Sequence, residues 1–154
     1  MAVGVDVRIE GAEVLARVAR AVKAHGDAQL RKDLLRGLRN ASKPMIASIK
    51  DEARTVLPAG GGLNDLVAAT KISARSRTTG SKAGVRLVGK SAGHDLAAIN
   101  RGRLRHPVFG HPVWVSQTVA AGWWEDGANK KADTVSRDLV AVMRDVLSEI
   151  ARST

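Results

Sequence analysis

Cysteine and tyrosine are absent from the 154 residues, and no apolar run approaches the length of a membrane span. Without cysteine the chain has no disulfide and no thiolate ligand for a metal. A helix needs about 20 predominantly apolar residues to cross a bilayer, so no membrane span is expected. Asp6, Arg8 and Glu10 interrupt the apolar stretch that a signal peptide would need. These absences favour a protein that is assembled in the cytosol.

Aromatic residues are scarce, and the few present are clustered. They are Phe109, Trp114, Trp123 and Trp124. The predicted helices must therefore pack with Leu, Val, Ile and Ala, which bury less apolar area per residue than aromatic side chains do. We expect a modest core that gains stability when the protein assembles with partners.

Positive charge is plentiful but unevenly spread. The formal net charge is +10, of which residues 71–105 supply +8, with nine Lys or Arg against the single acid Asp95. Residues 1–70 supply +3 and residues 106–154 supply −1. A basic middle between nearly balanced flanks indicates a surface that faces nucleic acid or an acidic protein. The alternative is a pair of charged strands that only keep the protein soluble.

Hydrophobic periodicity predicts the α+β class, with long amphipathic helices packed against a small, mostly antiparallel β-sheet. Strands are expected at residues 3–9, 71–77, 83–88 and 113–118, the second and third joined by a hairpin loop at 78–81. Helices are expected at residues 12–24, from Asp27 to about 56, at 63–69, for one turn at 95–99, and at 131–151. Pro44 falls within the second helix and should kink or split it.

One segment matches a nucleotide-binding pattern. Residues 84–91 read Gly-Val-Arg-Leu-Val-Gly-Lys-Ser, which satisfies the phosphate-loop pattern. A phosphate loop needs small residues between its glycines, so that backbone N–H groups can curl around a phosphate. The insert Val-Arg-Leu-Val prefers an extended strand. We therefore expect a strand and no cofactor here, and an enzyme built on this segment is the least favoured alternative.

No catalytic set stands out. His94, His106 and His111 have no carboxylate at metal-ligand spacing, and no G-x-S-x-G turn is present. Glu125 and Asp126 are interpreted as surface or interface charges on a loop. The sequence therefore predicts a protein that is not an enzyme, with no catalytic, cofactor-binding or metal-binding residues and no small-molecule substrate.

The adjacent pair Trp123-Trp124 indicates a contact surface. Neighbouring side chains on an extended backbone point in opposite directions, so one of the two is expected to reach a partner. Tryptophan is also enriched in interface hot spots. The alternative places Trp123 in the core and Trp124 flat against the domain's own surface.

A longer pattern surrounds this pair. It runs Ile99-Asn100-Arg101-Gly102-Arg103-Leu104-Arg105-His106-Pro107-Val108-Phe109-Gly110, then Trp114-Val115-Ser116-Gln117, then Gly122-Trp123-Trp124. The pattern resembles phage minor tail and head–tail connector proteins of the lambdoid gene-ten-product type, in the version carried by phages of actinobacteria. The resemblance spans about residues 28–150 and includes the A-R-x-x-x-P run that ends at Pro58.

The resemblance implies a structural virion protein that helps join or complete the head–tail interface. Such proteins complete the tail or connect it to the neck, and they commonly form rings, usually sixfold. It implies a place in the neck or upper tail after assembly in the host cytoplasm, beside neck, connector and tail-tube proteins. Residues 1–27 lie outside the pattern and are expected to form a subunit-contact extension, with residues 28–154 as one α+β head–tail joining domain.

Two sets of residues are predicted to carry this function. Subunit or partner contacts are expected from Arg101, Arg103, Arg105, His106, Phe109, Trp114, Trp123 and Trp124. Non-specific contact with packaged double-stranded DNA is expected from Lys71, Arg75, Arg77, Lys82, Arg86 and Lys90. Cations that line a channel bind phosphates without reading sequence. The alternative function is a small basic nucleic-acid-binding regulatory protein, although residues 71–105 contain no recognition helix and no aromatic that could stack on bases.

Overall fold

The computed structural model describes residues 3–7, 12–78, 84–91, 93–108 and 110–153, which adopt the predicted α+β fold. The strands are β1 (Val3–Val7), β2 (Lys71–Arg77), β3 (Gly84–Lys90), β4 (Arg103–Pro107) and β5 (Trp114–Thr118). The helices are α1 (Ala12–His25), α2 (Ala28–Ala41), α3 (Lys43–Val56), α4 (Leu63–Ala68), α5 (Leu96–Asn100), α6 (Trp123–Asn129) and α7 (Ala132–Arg152).

Helix boundaries follow local chemistry that the sequence displays. The carboxylate of Asp27 accepts two backbone N–H groups of α2, at 2.9 and 3.2 Å, and so caps that helix. Gly26 follows α1 with a φ of 73°, the left-handed conformation that often ends a helix. Ser42 separates α2 from α3, and Pro44 lies in the first turn of α3, where its missing N–H is not needed. The predicted split of the long helix at Pro44 is confirmed.

The strands form two separate antiparallel sheets. The larger has the order β1-β3-β2, so β3 is its central strand. The smaller consists of β4 and β5 alone. Because β2 and β3 pair directly from Lys71 opposite Lys90 to Arg77 opposite Gly84, the predicted neighbouring strands are confirmed. The loop predicted at 78–81 lies outside the described residues apart from Thr78.

A single apolar core lies between the three-stranded sheet and the helices. Val85 and Leu87 of β3 are buried in it, and Ile72 of β2 packs against it. The long helices contribute residues spaced three or four apart, which share one helical face. These are Leu30, Leu34 and Leu38 of α2 and Val135, Leu139, Met143 and Val146 of α7.

The N-terminal segment belongs to this same domain, and the prediction that residues 1–27 form a separate extension is corrected. Strand β1 pairs with β3 over residues 3–7 and completes the larger sheet. Leu15, Val18 and Val22 of α1 are buried in the shared core. This part of the chain is therefore needed to cover apolar surface of the domain itself.

Two elements were not predicted from the sequence. Strand β4 lies where Pro107 and Pro112 indicate irregular structure, but β4 pairs only with β5 and is an edge strand, where proline is tolerated. Helix α6 starts directly after Gly122, which has a φ of 77°. Glu125 and Asp126 therefore lie in the first turn of a helix rather than on a loop, where they complement the positive end of its dipole.

Candidate interaction surfaces

Alternation along β2 and β3 gathers positive charge on the outer side of the larger sheet. In an antiparallel pair, residues directly opposite each other point to the same side. The register places Lys71 opposite Lys90 and Arg75 opposite Arg86, and Arg77 lies on the same side as these four. All five residues are exposed. We call this surface the basic face; it unites five of the six residues predicted to contact DNA.

The register of the basic face is electrostatically unfavourable for the isolated domain. Like charges directly opposite each other destabilise an antiparallel pair, and this face has two such pairs. Asp95, the acid of the basic segment, lies elsewhere, because its carboxylate accepts the N–H of Ala98 at 3.0 Å and caps α5. Strand β1 pairs with the other edge of β3, and the backbone register sets Asp6 opposite Arg86. This arrangement favours a polyanionic ligand over a role in solubility alone.

The segment that matches the phosphate-loop pattern is strand β3. Residues 84–90 pair with β2, and residues 85–89 also pair with β1 on the other side. Backbone N–H groups engaged in strand ladders cannot curl around a phosphate. The predicted strand is confirmed, and its geometry is not that of a nucleotide-binding loop.

Strands β4 and β5 form a ribbon that has no third strand among the described residues. We call residues 103–118 the hairpin. Every residue of β5 is exposed, with Trp114 at 57%, and Val113 just before it is 55% exposed. The guanidinium of Arg105 lies over the Trp114 ring, 5.6 Å from its centroid. A two-stranded ribbon is marginally stable alone, and an exposed apolar strand is a surface to which a partner can add.

Asn100, at the end of α5, holds the base of the hairpin. Its side-chain amide donates to both carboxylate oxygens of Glu125, at 3.0 and 2.8 Å. Its side-chain oxygen accepts the N–H of Trp124 at 3.0 Å, and its backbone carbonyl accepts the N–H of Gly122 at 2.7 Å. One residue thereby ties the chain that enters the hairpin to the helix that follows it.

The turn between α5 and the hairpin also requires glycine at position 102. Its φ is 89°, and a Cβ at this position would lie 3.0 Å from the carbonyl oxygen of Val119. The Gly102 carbonyl accepts the N–H of Val119 at 2.9 Å, which closes the ladder at the foot of the hairpin. A residue with a side chain would combine a disfavoured backbone conformation with a close contact.

Both members of the adjacent tryptophan pair are buried, so the prediction that one of them reaches the surface is wrong. Trp123 is 2% exposed and Trp124 is 0% exposed. Their rings meet edge to face, with centroids 5.8 Å apart. The prediction assumed an extended backbone, whereas helix α6 turns both side chains into the core. The pair anchors α6, and through Asn100 it anchors the hairpin.

Helix α6 also fits closely against α3. The Ser48 hydroxyl donates to the Gly127 carbonyl at 2.6 Å, and a Cβ at Gly127 would lie 2.6 Å from the Cα of Ile49. Just past the end of α6, the ammonium of Lys130 pairs with the carboxylate of Glu52. Since a close helix crossing of this kind needs glycine, α6 has little freedom to shift relative to the core.

The remaining predicted contact residues have different surroundings. Arg101 is exposed in the turn after α5, and Arg103 is exposed on β4. His106 is half-buried, and its Nδ1 lies 3.1 Å from the Pro107 carbonyl oxygen. Phe109 and Lys82 lie outside the described residues. The structure thus brings Arg103, Arg105 and Trp114 together on the hairpin and separates them from the buried tryptophans.

Neither a metal site nor a membrane span finds support in the described ranges. No three His, Asp or Glu side chains there are grouped closely enough to hold a metal ion. No helix among these residues combines the length and the apolar character needed to cross a bilayer. The basic face and the hairpin are the two surfaces formed by exposed residues that the sequence singled out.

Comparison with known proteins identifies no relative. The chain matches no family model, and no match was found among curated proteins or solved structures. Its function must be inferred from its own residues.

Proposed function

We propose that this chain is a structural subunit of a long-tailed bacteriophage, built into the neck or upper tail as part of a ring around the DNA channel. The observation that carries the proposal is the hairpin, whose strand β5 is exposed over its whole length and presents Trp114 beside Arg105. Aromatic and arginine side chains are enriched in protein interfaces. A ring subunit exposes such a surface until its neighbour covers it.

The residues that carry the phage resemblance have related positions in the fold. Gly102, Trp123 and Trp124 hold the base of the hairpin, whereas Arg105 and Trp114 lie on its exposed part. The pattern therefore specifies a ribbon that is anchored at one end and uncovered along its length. Such a feature suits an assembly contact better than it suits a catalytic pocket.

A second candidate is a small basic protein that binds nucleic acid in a regulatory role. The basic face favours it, because five exposed cations share one side of the sheet. Contacts from a sheet to phosphates carry no sequence information, however, and a regulator needs such information to find its site. The exposed hairpin has no role in this alternative.

Mass spectrometry of purified virions tests the proposal. We expect the chain at a fixed, small number of copies per particle, retained in preparations that contain necks and tails. Its absence from particles, with the protein remaining soluble in the lysate, would contradict the proposal and favour the regulator.

A complementation experiment tests whether the hairpin makes the contact with neighbouring subunits. Trp114→Ala supplied to a phage that lacks the gene should leave the soluble protein folded but reduce its incorporation into particles. Leu66→Ala is the matched control, because Leu66 is 47% exposed on α4, outside the hairpin. If both variants are incorporated like the wild type, the hairpin is not the contact.

A further inference from the structure

We infer that the basic face binds the phosphate backbone of duplex DNA without reading its sequence. The inference rests on the proposed function for its biological setting, since it names the ligand of one surface of the ring subunit. The binding itself is a property of the isolated chain and can be measured without virions.

Strand geometry gives the basic face a size that suits a duplex. From Lys71 to Arg77 the strand extends about 20 Å, and alternate residues on one side are about 7 Å apart. A duplex of that length carries about 12 phosphates on its two strands. Arg86 and Lys90 form a second row on β3, about 5 Å from the first. The face therefore presents two rows of cations along a length that spans several phosphates.

Three arginines elsewhere on the surface are paired with acids. Arg36, Arg54 and Arg152 each pair with an acid three residues earlier on the same helix: Asp33, Asp51 and Glu149 respectively. On the basic face the register sets Lys71 opposite Lys90, so two like charges repel each other there. A polyanion that lies across both strands relieves this repulsion, which is a gain that a solvated surface does not obtain.

Other observations indicate a duplex and exclude base readout by this face. The aromatic residues of the chain all fall between residues 109 and 124, so neither β2 nor β3 offers a ring on which an unpaired base could stack. The sheet has three strands and is therefore wider than the two-stranded ribbon that the major groove, about 12 Å wide, admits. Contacts are therefore confined to phosphates and sugars.

The test compares two variants that lower the net charge equally. The sheet variant is K71Q/R75Q/R77Q/K90Q, which keeps Arg86 in the central strand β3. The control is R17Q/K32Q/R137Q/R144Q, four exposed cations on α1, α2 and α7. Circular dichroism melts check that the sheet variant and the control variant are both folded. Binding is measured by fluorescence anisotropy with two unrelated duplexes of about 30 base pairs, at salt concentrations from about 50 to about 200 mM.

If all five cations engage phosphates, the wild-type affinity should fall about 500-fold over this salt range, because each neutralised phosphate contributes about −0.9 to the slope of log K against log salt. With one cation left, the sheet variant should fall only about 4-fold and bind far more weakly at low salt. The control should follow the wild type, and the two duplexes should bind equally.

Several results would overturn the inference. One is an equal loss of affinity in the control, which would assign binding to net charge. Another is a preference of about tenfold for one duplex, which indicates base readout. A third is tighter binding to polyglutamate than to the duplex at matched charge, which indicates an acidic protein as the ligand. If the wild-type chain does not bind DNA but the sheet variant is still incorporated into virions, the inference is wrong and the proposed function is not affected.

Discussion

The three-stranded sheet and the hairpin use the same antiparallel pairing but meet water in different ways. The larger sheet buries one side, with Val85 and Leu87 in the core, and exposes the other, which carries the basic face. The hairpin is uncovered along the whole of β5 and is held at its base by Asn100 and Gly102. The covered side of the sheet can offset unfavourable charge on its outer side. The hairpin has no buried side of this kind, so its stability depends on the contacts of Asn100 and Gly102 at its base.

The largest expected effect distinguishes the anchor from the exposed ribbon. Trp124→Ala should lower the free energy of unfolding by about 3 to 5 kcal/mol, because it leaves a cavity where a fully buried indole packs. Trp114→Ala should lower it by no more than about 1 kcal/mol, mainly through the lost contact with Arg105. Urea denaturation of both variants measures the difference. Equal losses would mean that the hairpin is part of the folded core.

A second prediction concerns the crossing that fixes α6 under the hairpin. Gly127→Ala should cost up to about 3 kcal/mol, because the new methyl would meet the backbone of Ile49 and the helices would have to separate. Gly60→Ala is the control, since nothing lies within 4 Å of a Cβ there. Thermal melts of the two variants measure this difference in stability. A Gly127 variant as stable as the Gly60 variant would show that the crossing is loose.

The third-largest loss of stability is expected from a substitution at Gly102, at the base of the hairpin. Gly102→Ala is expected to cost about 1 to 2 kcal/mol from its left-handed backbone alone, with an added cost from the close carbonyl oxygen of Val119. Gly110→Ala shares the positive φ, 79°, but meets nothing within 4 Å, so it isolates the backbone contribution. Denaturant titration should rank the Gly102 variant as the less stable. The reverse order would contradict the anchoring role of this junction.

The smallest effect has the opposite sign. Lys71→Gln should raise stability by a few tenths of a kcal/mol at low salt, because it removes the like charge opposite Lys90. The gain should shrink as salt screens the exposed charges. Lys32→Gln, an exposed lysine on α2, is the control. Melting temperatures at low and high salt measure the change. A loss of stability in the Lys71 variant would show that the charges on this face are favourably placed in the free protein.

Much of the fold could be predicted from spacing and local chemistry. The cap at Asp27, the split at Pro44 and the stripe that becomes α7 are all local features, and the structure has each of them. Strand β4 and helix α6 could not be found in this way. Prolines near β4 hide its short pairing, and α6 contains Gly127, a poor helix former that the crossing with α3 requires.

For the candidate surfaces too, local sequence patterns predict some features and not others. Alternate positions of Lys71, Arg75 and Arg77 predict one charged side of a strand, but only the register sets Arg75 opposite Arg86. The two tryptophans mislead for a physical reason. Neighbours point apart on a strand, whereas on a helix that begins at the edge of the core both can be buried. Trp114 is exposed because none of the described segments covers it, and no local sequence pattern indicates this.

Hydrogen–deuterium exchange of the hairpin, compared between the isolated chain and purified phage particles, tests the central claim most directly. We predict fast exchange of the β5 amides in the free protein and strong protection of the same amides in the particle, with the β3 amides slow in both. Equal exchange of the hairpin in the two states, in particles that contain the chain, would contradict the claim that this ribbon is the contact completed by assembly.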